Sequence, residues 1–380
     1  SPVMKKLNEG LVKDAGVRVL YHALATAVHR DGDLLGGATV WTKSGLLDVR
    51  APITIDASGD ADLLAMAGLR TWCGADGVVQ NPTMIFRMQG VDTARFIATY
   101  GTDTIMPASV SEQIFAAHKQ GMDLPRSKIW LFTTTRPGEL LCNCTRIQGA
   151  DGRELNAALA KDLSEAEPQG RAQVRAYERF FRQELAGCEN AWVNDTGVQV
   201  GVRQTRQGAG VAVLRNADVV AGSKFVDGVA RSPWPIELHA GAKPRVEWLL
   251  EDFYEIPYGC FVPELGEGLL FGGRCLSAEH EAVASARVTA QCFSYGQALG
   301  VAFQVVDDIL DVTADTATLG KPAGSDLGLD KATYPKIFGL DGARQMALSL
   351  TSDAKAALSP YGDKASRLNE LADYLLTRSH

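Results

Sequence analysis

The sequence predicts an α/β protein with additional β-structure up to about Gly300, followed by a segment that is entirely helical. Short β-branched or apolar runs, punctuated by Gly and Asp, fill residues 17–58. The run APITIDASGDADLLAMAGL (51–69) then changes from an apolar strand, through a glycine turn, to a helical pattern. After Asp311 nothing has the pattern of a strand, and two amphipathic helical patterns (342–358 and 364–379) close the chain.

Length, charge and cysteine usage limit the number of domains and the classes of partner that we expect. A chain of 380 residues favours two or three domains, and we expect them at 1–300 and 301–380, joined through a shared helix near 286–311. A net charge of −7 argues against a nucleic-acid surface, and no apolar run is long enough for a transmembrane segment. Seven scattered cysteines without paired CxxC units favour reduced thiols and a cytoplasmic protein, and homo-oligomerisation is left open.

The elements follow in order along the chain. The turn after the strand at residues 51–56 contains Gly59, which permits close backbone approach, and Asp60, which lies near the start of the next helix. Residues 127–134 and 139–147 have the composition of strands, and residues 164–187 have apolar positions at helical spacing. GLLFGG (268–273) predicts a buried strand that runs into glycines, and from Ser277 the period is helical for a long way.

Four segments together resemble the FAD-dependent oxidoreductases of the glutathione-reductase-like flavoprotein fold. They are IDASGDAD (55–62), GVQVGVRQTRQ (197–207), YEIPYGCFVPE (254–264) and residues 269–300. The resemblance implies FAD as cofactor and a small organic substrate. It also implies a cofactor-binding set in which one turn closes the dinucleotide-binding sheet and a GGR stretch passes beside the ribityl and pyrophosphate groups: Ala57, Ser58, Gly59, Asp60, Gly272, Gly273 and Arg274.

Several further residues are candidates within this first constellation. The resemblance implies a helix that begins near Ala286 and points its N-terminus at the isoalloxazine, where Arg287 would add positive charge or merely cover the helix end. His280, Glu281 and His239 are candidate catalytic groups that would move a proton, although a lone histidine is more often a satisfied loop residue. Arg203 and Arg206 would hold an anionic substrate or serve as structural ion-pair partners.

The sequence departs from this family in one respect. Such flavoproteins begin with a strand, a GxGxxG turn and a helix that bind the ADP half of FAD, and no GxGxxG occurs in this chain. We therefore expect a flavoprotein-like domain lacking its first βαβ unit, truncated at its N-terminus and impaired in FAD binding.

The motif DDILD (307–311) dominates the second constellation. On a helix, Asp307, Asp308 and Asp311 project toward one side, where three close carboxylates repel each other unless cations lie between them. Mg²⁺ prefers carboxylate and phosphate oxygens and suits that arrangement. The sequence therefore predicts a magnesium site on this helix.

From Tyr295 to His380 the chain resembles the C-terminal third of the trans-isoprenyl diphosphate synthases, the farnesyl and geranylgeranyl diphosphate synthase family. YGQALGVAFQVVDDILDV (295–312) and the following LGKPAGSDLGLDKATYP (319–335) carry the resemblance. It implies an all-α prenyl-synthase-like segment, an isoprenyl diphosphate as partner, a glutamine near the metal at Gln304, and diphosphate-binding lysines at Lys321 and Lys331. The first aspartate-rich motif of that family is not in this sequence.

Three functional interpretations remain open. The chain is an FAD-dependent oxidoreductase whose tail caps the fold, or a magnesium-diphosphate-binding prenyl-transfer module on a flavoprotein platform, or a non-functional chimera of the two. YGQALG (295–300) satisfies both family patterns, so a junction there would keep the helical phase.

Overall fold

The computed structural model describes residues 2–238, 245–249 and 251–297, together with a few positions between 341 and 352. The strands are β1 (Leu24–Asp31), β2 (Leu34–Thr42), β3 (Gly45–Arg50), β4 (Thr54–Asp56), β5 (Thr71–Cys73), β6 (Phe86–Gln89), β7 (Trp130–Thr133), β8 (Leu140–Asn143), β9 (Trp192–Thr196), β10 (Arg206–Gly208), β11 (Gly228–Ser232), β12 (Ile236–Leu238), β13 (Arg245–Glu247), β14 (Tyr254–Pro257) and β15 (Leu269–Phe271). The helices are α1 (Pro2–Asp14), α2 (Asp62–Met66), α3 (Thr93–Tyr100), α4 (Ala108–Lys119), α5 (Ala160–Glu184), α6 (Asn216–Val220) and α7 (Ala282–Ala286), and residues 289–297 are also helical.

A four-stranded antiparallel sheet in the order β7-β8-β6-β9 carries the largest core. The long helix α5 packs on it, and the predicted apolar positions of this helix are all buried: Val174, Tyr177, Phe180, Phe181 and, just after its end, Leu185. Their spacing places them on one face, which is why this helix could be predicted from the sequence. Phe86 of the sheet stacks on Phe181 with ring centroids 6.3 Å apart.

The predicted strand–turn–helix is confirmed as β4, residues 57–61 and α2. β4 pairs in parallel with β15, the predicted GLLFGG strand, and all three residues of β15 are buried. A second small core lies beside this pair and contains Leu35, Ala61, Leu64, Ala67, Leu269, Phe271 and Cys275. The carboxyl ends of two distant chain segments therefore meet at one edge.

A third core surrounds α7, in which all five residues are buried. Residues of β11 and β14 pack in the same cluster, as do Phe261 and Tyr295, whose ring centroids lie 4.8 Å apart. β1, β2 and β3 form a separate antiparallel sheet in sequence order.

The prediction of an unbroken helical run from Ser277, with a helix beginning near Ala286, is wrong in the described residues. α7 ends at Ala286, Arg287 is its C-cap, and helical structure resumes only at residue 289. At the break Val288 N–H reaches Ser285 O at 3.5 Å, and the β-branched Val288 and Thr289 follow one another. Arg287 therefore lies at the end of one helix and not in the first turn of another, and residues 298–311 of the predicted shared helix lie outside the described part.

Candidate active site at the edge of β4 and β15

The turn after β4 is organised by the buried carboxylate of Asp56, a residue that sequence reasoning did not single out. Its Oδ1 accepts a hydrogen bond from Ser58 N–H at 3.0 Å. Its Oδ2 accepts from the N–H groups of Leu63 and Leu64, at 2.9 and 3.2 Å, in the first turn of α2. Asp56 thus satisfies donors that a helix start leaves without intrahelical partners, and it fixes the angle between strand and helix. The sequence did carry a signal for this role, since Asp56 ends an apolar strand just before a glycine turn.

The structure brings together all seven predicted cofactor-binding residues. Phe271 is the register partner of Asp56, and Gly272 N–H donates to Asp56 O at 3.0 Å, so the GGR stretch leaves β15 directly beside residues 57–60. Gly59 has φ +83°, and a Cβ added there would lie 2.5 Å from Arg274 Nη2. The Arg274 guanidinium therefore lies against the glycine turn, where only hydrogen leaves room for it.

Two arginines compensate the acids of this turn. Arg274 Nη2 lies 3.2 Å from Asp60 Oδ1, and Arg206 Nε donates to Asp60 O at 2.8 Å. Arg206 also pairs with Asp62, whose pKa is raised by burial and by the neighbouring charges of Asp60 and Asp56, against the lowering effect of Arg206. The side chain of Arg206 is thus engaged as an ion-pair partner in this structure, whereas Arg274 Nε is buried without a hydrogen-bond partner in the described part of the chain.

Cys275 is a further residue of this edge that the sequence did not indicate. Its Sγ accepts a hydrogen bond from Ala61 N–H at 3.2 Å, and Ser58 Oγ lies 3.9 Å away. Burial, followed by the charge of Asp56, raises the pKa of the thiol to about 12. The protonated sulfur is therefore a structural contact for the turn and not a nucleophile.

His280 lies near the start of α7, with 8% of its surface exposed, and its Nδ1 has no hydrogen-bond partner among the described residues. Burial lowers its pKa from 6.5, against the raising effects of Glu281 and Glu154. The imidazole is therefore neutral at pH 7 and able to accept a proton. Glu281 is half-buried, and its backbone N–H donates to Asn216 Oδ1 at 3.2 Å.

We expect the stability of the protein to fall below pH 6.5 because of His280. A histidine whose folded-state pKa is lowered takes up its proton more readily when unfolded, so the stability it contributes is present above 6.5 and is lost as the pH falls. Denaturant unfolding from neutral pH to about pH 5 measures this loss. His280→Gln should flatten the decline and His118→Gln, at an exposed histidine, should leave it unchanged; parallel curves for wild type and His280→Gln would contradict the assignment.

Of the remaining predicted site residues, two lie in the described part of the chain and seven lie outside it. Arg203 is buried and donates from Nη1 to Asn81 O at 3.1 Å, and Arg287 donates from Nη2 to Gln80 Oε1 at 3.4 Å. The others lie outside the described residues: His239, Gln304, Asp307, Asp308, Asp311, Lys321 and Lys331. Within the described part, no group of three or more His, Cys, Asp or Glu side chains is arranged to hold a metal ion. Nor does that part contain a helix both long and apolar enough to cross a membrane.

Comparison with protein families places the chain in one of them. The model of the family described as FAD dependent oxidoreductase matches residues 1–308. The chain belongs to the FAD-dependent oxidoreductase family. The model of a second family, described as polyprenyl synthetase, matches residues 268–362 of this oxidoreductase-family chain, so both models match residues 268–308, which contain YGQALG.

Relatives of the C-terminal part are prenyl synthases. The chain is 48% identical over 88 residues to farnesyl diphosphate synthase of Escherichia coli, which is 22% of this chain and 29% of that protein. It is 45% identical over 86 residues to dimethylallyltranstransferase of Fischerella ambigua, which is 23% of this chain and 25% of that protein. The chain thus spans less than a third of the length of either relative.

Solved structures that resemble this FAD-dependent oxidoreductase-family chain include two whose sequences are distant. A geranylgeranyl bacteriochlorophyll reductase-like protein from Thermoplasma acidophilum is 13% identical with a TM-score of 0.37, and the match covers 99% of this chain and 67% of that one. The flavin-dependent brominase Bmp2 is 13% identical with a TM-score of 0.36, and the match covers 96% of this chain and 66% of that one.

The residues present at the edge fit the anionic part of FAD. Gly272 and Gly273 carry no side chain, and a Cβ added at Gly273 would meet no atom within 4 Å, whereas Gly59 leaves room for the Arg274 guanidinium. The unpartnered Arg274 Nε supplies a donor beside them. Bare backbone next to a guanidinium suits a pyrophosphate, since it permits close approach and offers charge-assisted hydrogen bonds.

Proposed function

We propose that the chain binds FAD at the edge formed by residues 57–60 and 272–274 and catalyses oxidation or reduction of a small organic substrate. The observation that carries the proposal is the convergence of these two segments at the ends of the parallel strands β4 and β15. Membership of the FAD-dependent oxidoreductase family supports it independently. Ligands of open α/β sheets bind at the carboxyl ends of strands, which is where this edge lies.

In this proposal each residue of the edge has a distinct role. Asp56 holds the turn, Gly59 leaves room for the Arg274 guanidinium, and Arg274 binds the pyrophosphate while remaining paired with Asp60. Bound FAD would supply hydride or electron transfer. Because no GxGxxG occurs in the sequence, these contacts would carry the affinity contributed by this chain, and the predicted impairment of FAD binding remains a prediction.

Proton transfer is assigned to His280 in the same proposal. Its buried, neutral imidazole has a free Nδ1, so it can take a proton from a substrate hydroxyl or amine as the substrate is oxidised, or return it in the reverse direction. Glu281, the next residue, raises the pKa of that imidazole and so stabilises the protonated form. Arg203 and Arg287 are assigned to the anionic part of the substrate. His239 stays a prediction outside the described residues.

Activity is tested by reducing the reconstituted chain under anaerobic conditions and following re-oxidation by a panel of small organic acceptors. The proposal expects at least one acceptor to re-oxidise the bound flavin faster than it re-oxidises free reduced FAD. It also expects His280→Gln to slow that step by about a hundredfold, the size typical of a lost proton-transfer group. Equal rates for bound and free flavin with every acceptor would count against an oxidoreductase.

A second function, binding of magnesium-diphosphate by the C-terminal part, is favoured by the local identity to prenyl synthases. The family match includes DDILD, Lys321 and Lys331. Magnesium held by Asp307, Asp308 and Asp311 would bind the phosphate oxygens of an isoprenyl diphosphate. With one aspartate-rich motif in the sequence, binding is expected to be weak and prenyl transfer slow.

Calorimetry with pyrophosphate tests this second function. Heat of binding is expected only when Mg²⁺ is present, and it should disappear in the double variant Asp307→Ala, Asp308→Ala, because the carboxylates that hold the metal are gone. Asp341→Ala, which removes an acid elsewhere in the C-terminal part, serves as the control and should bind as wild type does. Binding that persists without Mg²⁺, or equally in the double variant, contradicts the assignment. If both functions fail, the chimera interpretation stands.

A further inference from the structure

Three arginines converge where the extended segment after β5 meets the segment after β8. Arg203 donates to the backbone of Asn81, and Arg287 donates to the side chain of the adjacent Gln80. Ile147 N–H binds Pro82 O at 3.1 Å, which places the end of the β8 segment alongside residues 80–82. At the start of that segment, Asn143 accepts from Arg126 Nη1 at 3.3 Å. Three guanidinium groups from distant parts of the sequence thus line one region.

Arg126 is the least satisfied of the three. Its exposed fraction is 2%, its guanidinium lies 4.5 Å from the centre of the Trp130 ring, and its Nε and Nη2 have no hydrogen-bond partner in the described residues. Its backbone is held on both sides by the Tyr177 hydroxyl, at 3.0 and 2.8 Å, so the residue is fixed in this position. Buried donors without acceptors are costly, because water is lost and nothing replaces it.

Two further N–H donors of this region also lack a hydrogen-bond partner among the described residues. They are Arg287 Nε and Gln80 Nε2, and both are buried. All these orphaned groups are N–H donors, so one acceptor with several oxygens would satisfy them together. Guanidinium groups remain protonated near neutral pH and pair with oxyanions through two parallel hydrogen bonds.

The charges around these arginines favour an acceptor with two negative charges. Glu237 is the carboxylate whose charge acts on all three of Arg126, Arg203 and Arg287. Of the neighbouring arginines, Arg146 is balanced by Glu154, and Arg274, whose charge acts on Arg287, pairs with Asp60. Three guanidinium groups against the single carboxylate they share leave a formal excess of two positive charges. Burial, with the repulsion of neighbouring arginines, lowers the pKa of Arg203 well below its usual value, and the pKa of Arg287 falls to about 10. A dianion would neutralise this positive charge, whereas a neutral ligand would leave it uncompensated.

We propose that Arg126, Arg203 and Arg287, with Gln80, form the binding site for a doubly charged oxyanion, and that the substrate class is small organic acids carrying two negative charges. That the anion is a substrate rests on the proposed oxidoreductase function. Binding of the anion itself needs no flavin. The Trp130 ring holds the Arg126 guanidinium from one side, and the Gln80 amide adds a neutral donor beside Arg287.

The test is calorimetric titration of the full chain, free of flavin, with succinate and separately with inorganic phosphate. The site predicts saturable binding of at least one of them: succinate points to a dicarboxylate substrate and phosphate to a phosphorylated one. Arg126→Gln and Arg203→Gln should each weaken binding by tenfold or more. Arg171→Gln removes an exposed arginine that is paired with Glu167 on α5, and it should not change binding. Thermal unfolding of each variant shows that it is folded, and Arg287→Gln provides a third, half-buried position if a buried variant fails to fold.

Two results would overturn the site: no saturable binding of either anion, or equal weakening in Arg171→Gln. ADP is the third probe, since displacement of succinate or phosphate by ADP would assign the arginines to the phosphates of the cofactor and refute a substrate site. Failure of FAD to bind while succinate or phosphate still binds refutes the proposed function alone. Retention of FAD without anion binding refutes this inference alone.

Discussion

Replacing Gly59 by alanine is expected to weaken FAD binding by tenfold or more, which corresponds to about 1.4 kcal/mol. At φ +83° an alanine is strained, and its Cβ would lie 2.5 Å from Arg274 Nη2. The arginine side chain is flexible at its end, so it would move and leave both the turn and Asp60. The variant therefore displaces the donor proposed for the pyrophosphate. Quenching of flavin fluorescence during titration measures the affinity.

Gly68→Ala is the matched control for this variant. Gly68 has φ +68°, lies just beyond the end of α2, and has no atom within 4 Å of an added Cβ. Both variants should lose about 1 kcal/mol of folding stability from backbone strain. Only Gly59→Ala should lose FAD affinity; equal affinities in the two variants would show that the turn does not contact the cofactor.

Removing the side chain of Asp56 is expected to give the largest loss of stability, about 3 kcal/mol. Alanine would leave the N–H groups of Ser58, Leu63 and Leu64 without their acceptor, in a region where Asp56 is 1% exposed. Released from β4, the turn and α2 would no longer hold residues 57–60 beside residues 272–274, so FAD binding should be lost as well. Urea unfolding at constant m-value measures the stability.

The control for Asp56→Ala is Asp48→Ala, at an exposed strand position where the carboxylate accepts from Thr39 Oγ1 at 2.8 Å. An exposed interaction of this kind contributes little to stability, because water screens the charge. Asp56→Asn keeps one oxygen as acceptor and should fall between Asp56→Ala and wild type. If Asp56→Ala and Asp48→Ala lose the same stability, Asp56 does not organise the turn.

The local elements of the fold were predictable from the sequence because their signals are short-range. The strand, glycine turn and helix at 54–66 are contiguous in sequence. The apolar residues of α5 recur at helical spacing, so its buried face is visible in the sequence. The seven predicted cofactor-binding residues come from the family resemblance, and the parallel pairing of β4 with β15 explains why segments more than 200 positions apart lie side by side.

What escaped prediction depends on long-range contacts. Arg126 has the appearance of an ordinary loop arginine, and only the fold buries it beside Trp130 and Asn143. Arg287 meets Gln80 across 207 positions of sequence, and Cys275 meets Ala61 across 214. The break between α7 and residue 289 escaped for a different reason: the helical period continues through it, while the hydrogen bonds do not.

We propose that this chain binds FAD through pyrophosphate contacts at the edge formed by residues 57–60 and 272–274. The most direct test is reconstitution of the full chain with FAD, and separately with riboflavin, followed by gel filtration and measurement of flavin absorbance in the protein peak. Riboflavin has the same ring but no phosphate. We expect FAD to be retained with the monodisperse protein and riboflavin to be lost. A colourless protein after FAD treatment, or equal retention of the two flavins, would refute binding through the pyrophosphate.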